Sequence, residues 1–484
     1  MKTPRFQFEE PSMKYRRTKV VCTIGPASSS LEMLHALIEA GMNVARLNFS
    51  HGTHESHAQV IADLRRLSRE MGVRVPILQD LSGPKIRIGK LKGERIELVP
   101  GSKFVLTSRQ ITGDQGSAWV NSPELVEALK PGDRVLLADG ELELQVSSRS
   151  ETDAVCKVIV GGELTSNQGV SAPGVSIKQT VPTEKDLRDL VFGIEQGVDW
   201  VAQSFVRSAE EIRNLKSKIK EHGSNIPVIV KVEKREALAD LDGIIDEVDG
   251  VMVARGDLGL EIPLQEVPLV QKEIIKKANL AGKPVITATQ MLESMIFKPR
   301  PTRAEVADVA NAVFDGTDAL MLSGETAAGK YPVQAAKTMV DVALVTEEKI
   351  DYVERFRSKP IKAGDDIEDA IAHAAVHMAI EIGARLIVCC TRSGKTARLV
   401  AKYRPDATIA VASLHQETLT RSVLLWGTRP VEIAEADNTD QMIASAKKAS
   451  LQAGLAASGD RVVVVAGVPV DVVGTTNMIK ADTL

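Results

Sequence analysis

Residues 200–233 read WVAQSFVRSAEEIRNLKSKIKEHGSNIPVIVKVE. A β-branched run (200–205) is followed by an amphipathic stretch (209–222) with apolar residues at helical spacing, then by a second run (227–233). The same unit recurs on both sides. Runs at 20–25, 43–49 and 75–81 precede it, and runs at 250–256, 284–290 and 319–325 follow, with amphipathic stretches such as 31–40 and 269–281 between most of them. Strand–helix alternation repeated eight times predicts a (β/α)8 barrel better than an open sheet, whose strand count usually stops sooner.

Two stretches break the rhythm. Residues 87–181 carry short strand-like pieces (103–106, 134–137, 143–146, 155–160) separated by turn signals such as Pro131-Gly132-Asp133, which predicts an inserted small β-barrel domain. Inserted at a strand's C-terminal end, it overhangs the barrel mouth as a lid. After about residue 350 the pattern restarts, with runs at 386–391, 408–413, 431–434 and 461–467 around helices, and predicts a separate C-terminal α/β domain. The expected division is an arm at 1–14, a barrel at 15–86 and 182–350, a lid at 87–181 and a C-terminal domain at 358–484, with residues 358–366 as linker.

Apolar residues make up 44% of the 484 and charged residues 26%, an ordinary balance for a soluble globular chain. A formal charge of −4 gives no reason to expect nucleic acid or an anionic membrane as partner. No apolar run reaches the roughly 18 residues of a membrane span, and residues 1–17 contain no apolar core of a signal peptide. The cysteines, Cys22, Cys156, Cys389 and Cys390, have neither metal-ligand nor disulfide-framework spacing and read as small buried hydrophobes. A reducing, cytoplasmic setting is expected.

In such a barrel the chemistry lies at the C-terminal ends of the strands. Those ends are unusually polar here: Arg46 and Asn48, Asp80, Ser204, Lys231 and Glu233, Arg255 and Asp257, Thr289, then Ser323 and Glu325. Polar groups are costly in strands built for burial, so their convergence on one rim points to a site. Lys231 and Glu233 are two apart and share a face of their strand. Glu233 and Asp257 make a carboxylate pair suited to Mg2+ or Mn2+, with substrate oxygens completing the shell, and Lys231 is set to meet a phosphoryl oxygen. The alternative, a buried ion-pair network serving stability alone, is disfavoured because such networks rarely improve on apolar packing. The turn Ala254-Arg255-Gly256-Asp257 offers backbone N–H groups to an anion. His51, near Arg46 and Asn48, reads as a nucleotide or phosphate contact. Thr391-Arg392-Ser393-Gly394-Lys395-Thr396 follows a strand and opens a helix, a credible phosphate seat, although Cys389 stands where a Walker A loop needs glycine.

These residues resemble one family closely, pyruvate kinase. The matching strings are KVVCTIGPA (19–27), GMNVARLNFSHG (41–52), GPKIR (83–87), KVE (231–233), VMVARGDLGLEIP (251–263), ITATQMLESM (286–295), PRPTRAE (299–305) and 315–326, spread over essentially the whole chain. The resemblance implies phosphoryl transfer from phosphoenolpyruvate to ADP, giving ATP and pyruvate, by a homotetramer of barrel, lid and regulatory domain. It implies that Lys231 stabilises the phosphoryl group and enolate, that Glu233 and Asp257 bind metal, and that Arg46, Ala254, Arg255 and Gly256 contact substrate. Thr289 and Ser323 resemble hydroxyls of a proton relay, and Asn48, His51 and Arg87 resemble nucleotide contacts. A phosphorylated allosteric effector is expected at residues 391–396 and the tail Gly474-Thr475-Thr476-Asn477.

Three departures qualify the resemblance. Lys85 stands where potassium-dependent members have glutamate, and Leu81, Ser82 and Ile88 accompany it; with Asn48, Ser50, Asp80 and Leu81, an ammonium near Asp80 is expected to replace K+. Gln168 replaces a lid lysine that contacts nucleotide phosphate. In Ala138-Asp139-Gly140 one of two common aspartates is lost, leaving Asp139 as the expected partner of Arg46 on lid closure. Two other readings compete: a catalytically silent metabolite sensor, and a metal-dependent barrel lyase or aldolase using no nucleotide. The intact rim residues and the matched nucleotide-side residues argue against both.

Overall fold

A computed structural model describes residues 15–177, 179–358, 366–468 and 476–484. Eight parallel strands close a barrel, in the order Lys19–Ile24, Ala319–Leu322, Val285–Ala288, Gly250–Ala254, Val228–Val232, Trp200–Gln203, Ile77–Asp80 and Val44–Asn48. All eight expected runs are strands, each ending one to three residues short of the run's C-terminal end. The alternation of side chains explains the double core. Val228, Val230 and Val232 face outwards into the layer beneath the helices. Val21, Val44, Leu78, Ala202, Ile229, Met252 and Met321 fill the lumen.

The lid's ladders form a six-stranded sheet (order Val170–Ser171, Arg134–Leu137, Leu142–Arg149, Asp153–Val160, Lys103–Thr107, Ser117–Trp119) and a two-stranded pair, Gly162–Thr165 with Arg95–Leu98. They enclose their own core of Phe104, Leu106, Leu137, Leu144 and neighbours. The C-terminal domain has four parallel strands, in the order Thr428–Glu432, Thr408–Ser413, Leu386–Cys390 and Arg461–Gly467. An antiparallel edge strand, Thr476–Thr483, closes this sheet. That last strand was not anticipated: its alternation is too polar to read as buried, because it covers only one edge. The expected arm (1–14) and most of the expected linker (359–365) lie outside the described residues, as do Gly474 and Thr475.

The C-terminal domain packs beneath the barrel, at the strands' N-terminal ends. Leu424 joins the lumen core from below. Arg404, 2% exposed, places its guanidinium on both Asp318 oxygens at 2.8 and 2.9 Å, on Asn279 Oδ1 and on Gly316 O. Asp318 in turn accepts the N–H groups of Val285 and Trp426, tying two barrel strands to the other domain. Removing Arg404 leaves a buried carboxylate without its cation. Arg404→Leu should therefore cost about 3–5 kcal/mol, seen in urea as a lower midpoint or as separate unfolding of the two domains; an unchanged single transition would contradict this.

Candidate active site

The alternation that fills the lumen also aims the polar strand ends into its mouth. Arg46 follows Val44 on the inner face, Asp80 follows Leu78, Ser204 follows Ala202, and Lys231 and Glu233 follow Ile229. The result is a buried charge network. Lys231 Nζ lies 2.7 Å from Glu233 Oε1 and 3.4 Å from Asp80 Oδ1, and donates to Ser204 Oγ at 2.8 Å. Arg46 donates through Nε to Asp80 Oδ2 at 2.7 Å and through Nη1 to Thr23 Oγ1 at 2.9 Å. Phe205 N–H holds Glu233 Oε2 at 2.9 Å.

Burial alone would lower the Lys231 pKa, but Asp80 and Glu233 outweigh it and hold the ammonium above its usual range. Burial likewise opposes ionisation of Asp80, yet Lys231 and Arg46 bring its pKa below the ordinary value. Glu233 goes the other way: burial raises its pKa against the pull of Lys231, and Asp257 adds to the rise. Two neighbouring carboxylates facing one cavity between barrel and lid mark a position that a cation relieves. No well-directed hydrogen bond reaches Glu233 Oε1 among the described residues. Nor do three His, Cys, Asp or Glu side chains converge among them, so the donor set is two carboxylates, which fits Mg2+ or Mn2+ sharing its shell with substrate.

On the opposite rim, Thr289 and Gln290 adopt φ of 66° and 53°, a left-handed turn that costs a β-branched residue about 1–3 kcal/mol. Thr289 Oγ1 accepts Gly256 N–H at 2.8 Å and donates to Ala288 O. The Arg255 guanidinium donates to Thr289 O at 2.6 Å and pairs with Asp308 at 2.6 Å. It braces the strained turn. Ser323 Oγ is buried with no hydrogen-bond partner among the described residues, and Ser323 N–H donates to Glu325 Oε2 at 2.7 Å.

The nucleotide-side residues are brought to one flank. Asn48 Oδ1 accepts Ser50 N–H, and Ser50 Oγ reaches Ser82. His57, stacked on Phe49 with ring centres 4.2 Å apart, bonds to His51 O. Burial, then Arg87, Lys85 and Arg46, depress the His51 pKa and so favour its neutral ring. Arg87 bonds Asn167 O in the lid.

The fold places the three positions that depart from the family as follows. Asp139 makes no ion pair with Arg46 among the described residues in this resting arrangement, where Arg46 pairs with Asp80 and bonds Thr23. Asp80 draws its countercharge from Arg46 and Lys231, not from Lys85, whose chain runs towards the lid beside Gly169. Gln168 turns its amide oxygen onto Thr165 N–H at 3.0 Å, within its own turn. Far from the rim, residues 391–396 open the helix Lys395–Lys402 against an 880 Å3 cavity shared with Arg398, His415, Arg421 and Trp200. There Lys395 pairs with Glu368, Thr396 bonds Thr476, and Thr418 holds Arg392 O, so the loop is pinned at several points. Thr23, Phe205 and Asp308 were not anticipated. Only Thr23 had a signal, as a hydroxyl at a strand's polar end.

Residues 15–336 match the family model described as pyruvate kinase, barrel domain, and residues 369–481 match pyruvate kinase, alpha/beta domain. Among curated proteins, the pyruvate kinase of Geobacillus stearothermophilus is 46% identical over 468 residues, covering 96% of this chain and 80% of that protein. The enzyme of Sporosarcina psychrophila is 45% identical, with the same coverage. That of Staphylococcus aureus (strain MRSA252) is 42% identical over 467 residues, again covering 96% and 80%.

The electrostatics give opposite expectations for neighbouring residues. Glu233→Gln and Asp257→Asn should each weaken Mn2+ binding by about tenfold or more, read by electron paramagnetic resonance of free Mn2+. Lys231→Met removes a nearby cation, so Mn2+ should bind as tightly or tighter. Weaker binding in that variant would contradict the role of the ammonium as a competing charge.

Proposed function

The chain belongs to the pyruvate kinase family, and from that premise we propose how its own rim residues carry the reaction. As a phosphotransferase of glycolysis it moves the phosphoryl group of phosphoenolpyruvate to ADP, giving ATP and pyruvate. The observation that carries the assignment of roles is the Lys231 ammonium, held protonated between two carboxylates at the barrel mouth.

Phosphoryl transfer asks for alignment and charge neutralisation more than covalent chemistry. Lys231 faces the transferring group, and Arg46 holds phosphate oxygens from the other side. Glu233 and Asp257 would hold a divalent cation, which would supply further charge neutralisation during the transfer. The P–O bond to the enol oxygen breaks as a terminal ADP oxygen bonds to phosphorus. The enolate left behind then takes a proton at its terminal carbon. Thr289 and Ser323 stand on that side; the unpartnered Ser323 hydroxyl supports a relay role. Ala254 and Gly256 offer backbone to the substrate carboxylate, the Gly256 N–H exchanging its bond to Thr289 Oγ1 for one to substrate, and Asn48, His51 and Arg87 serve the nucleotide. Closure of the lid excludes water from a donor otherwise open to hydrolysis.

The cavity beside residues 391–396, with Arg398 and Arg421 on its wall, supports a phosphorylated allosteric effector. Exposed Leu264, Leu269 and Phe297 on the barrel helices and loops support assembly, with a homotetramer as the family expectation. Four buried free cysteines suit a cytoplasmic setting. Lys85 supplies a fixed cation on the nucleotide side, where it already acts on His51, and activity needs no K+.

In a coupled assay with phosphoenolpyruvate, ADP and Mg2+, Lys231→Met should lower kcat by about 10²–10³-fold; near-normal turnover would overturn the assignment. Exchanging K+ for a bulky organic cation at equal ionic strength should leave the rate of the unaltered protein unchanged, while Lys85→Glu should create a K+ requirement. Strong K+ activation of the unaltered protein would refute K+ independence.

A further inference from the structure

Residues Ser204–Arg207, followed by Ser208 at the helix start, join the end of the strand Trp200–Gln203 to the helix Ala209–Glu221. On one side the loop touches the catalytic charges: Ser204 Oγ accepts from Lys231 Nζ, and Phe205 N–H holds Glu233 Oε2. On the other it carries both chain segments that lead into and out of the lid. The outgoing segment turns at Gly83, φ 64°, so close to the loop that a Cβ there would stand 2.6 Å from Phe205 Cδ2 and 3.1 Å from Ser204 Cβ. The returning segment is clamped by Arg207, which donates to Ile177 O at 2.8 Å and Gln179 O at 2.5 Å. Glu211 fixes the guanidinium, accepting from Nε at 2.9 Å and from the Arg207 N–H at 2.7 Å. Asp186 ties the two segments to each other, accepting from Gly83 N–H and from both the N–H and the hydroxyl of Thr183.

Phe205 has φ 59° although it is not glycine. Strain of that kind persists only where the surroundings over-determine it. Here the surroundings are Glu233 on one side and the Gly83 hinge on the other. We propose that the Ser204–Arg207 loop is the positioning element that couples lid closure to the placement of Lys231 and Glu233, with Arg207 as its grip on the lid. This rests on the roles given above to Lys231 and Glu233. Arg207 touches no reacting atom; it acts through the returning hinge and the loop.

All four cysteines are buried, so spin labels can be directed to Glu151→Cys in the lid and Asn214→Cys on the barrel helix. With Mg2+ and phosphoenolpyruvate, the unaltered protein should narrow and shift its label-to-label distance distribution. Arg207→Ala should keep the broad distribution and lose about tenfold to a hundredfold in kcat, while Mn2+ affinity of the resting protein stays within about twofold. Arg207→Lys, which can reach one carbonyl but lacks the planar fork, should recover part of kcat. Should Arg207→Ala not fold, Glu211→Gln is read in the same assays and should move them the same way by less. The proposal is overturned if kcat and the distance shift are unaffected. It is equally overturned if kcat, Mn2+ affinity and melting temperature fall together, which is a merely structural role. Normal turnover in Lys231→Met would instead defeat the site assignment beneath it.

Discussion

Arg46, Asp80, Lys231 and Glu233 sit almost out of reach of solvent at the mouth of the barrel. Charges in that position are tolerable only when each has a partner, and the partners lie on different strands: Arg46 with Asp80, Asp80 with Lys231, Lys231 with Glu233. Much else in the structure follows from this need. The strands must be in a register that puts these ends on one rim. Ser204 and Phe205 must supply the remaining hydrogen bonds, and Thr23 must take the free arm of Arg46.

The network is balanced towards function more than towards stability. Lys231 is kept protonated by Asp80 and Glu233, while burial and Asp257 oppose the charge on Glu233. In the function proposed above, a divalent ion would relieve that opposition. The opposite rim follows another logic, in which Arg255 and Asp308 hold Thr289 in a backbone conformation that it would not choose alone. Both rims spend stability on a shape that suits the bound state.

The lid and the C-terminal domain meet the barrel at its two ends. Above, two hinge segments rest on the loop that also touches the catalytic charges. Below, Arg404 and Asp318 bind the barrel's strand starts to the other domain, and Leu424 plugs the lumen.

The barrel, the lid's place in the chain and the polar rim were legible because side-chain alternation is a local property: residues two apart share a face whatever else the chain does. Hence Arg46, Asp80, Lys231 and Glu233 could be named from their strands alone. Their pairing could not, because it depends on which strands become neighbours and how deeply each group is buried. Arg255 and Lys85 show this most clearly, since motif position suggested an anion contact for one and an Asp80 partner for the other. Folding placed a carbonyl and Asp308 beside Arg255, and set Arg46 and Lys231, rather than Lys85, in ion pairs with Asp80. The edge strand Thr476–Thr483 and the Phe205 turn were likewise hidden, the first because a one-sided strand has weak alternation, the second because its strain comes from contacts far apart in the chain. Sequence alone determined the fold's periodicity and the inventory of charges; tertiary structure decided which charge meets which, because electrostatic pairing is a matter of distance and burial in space.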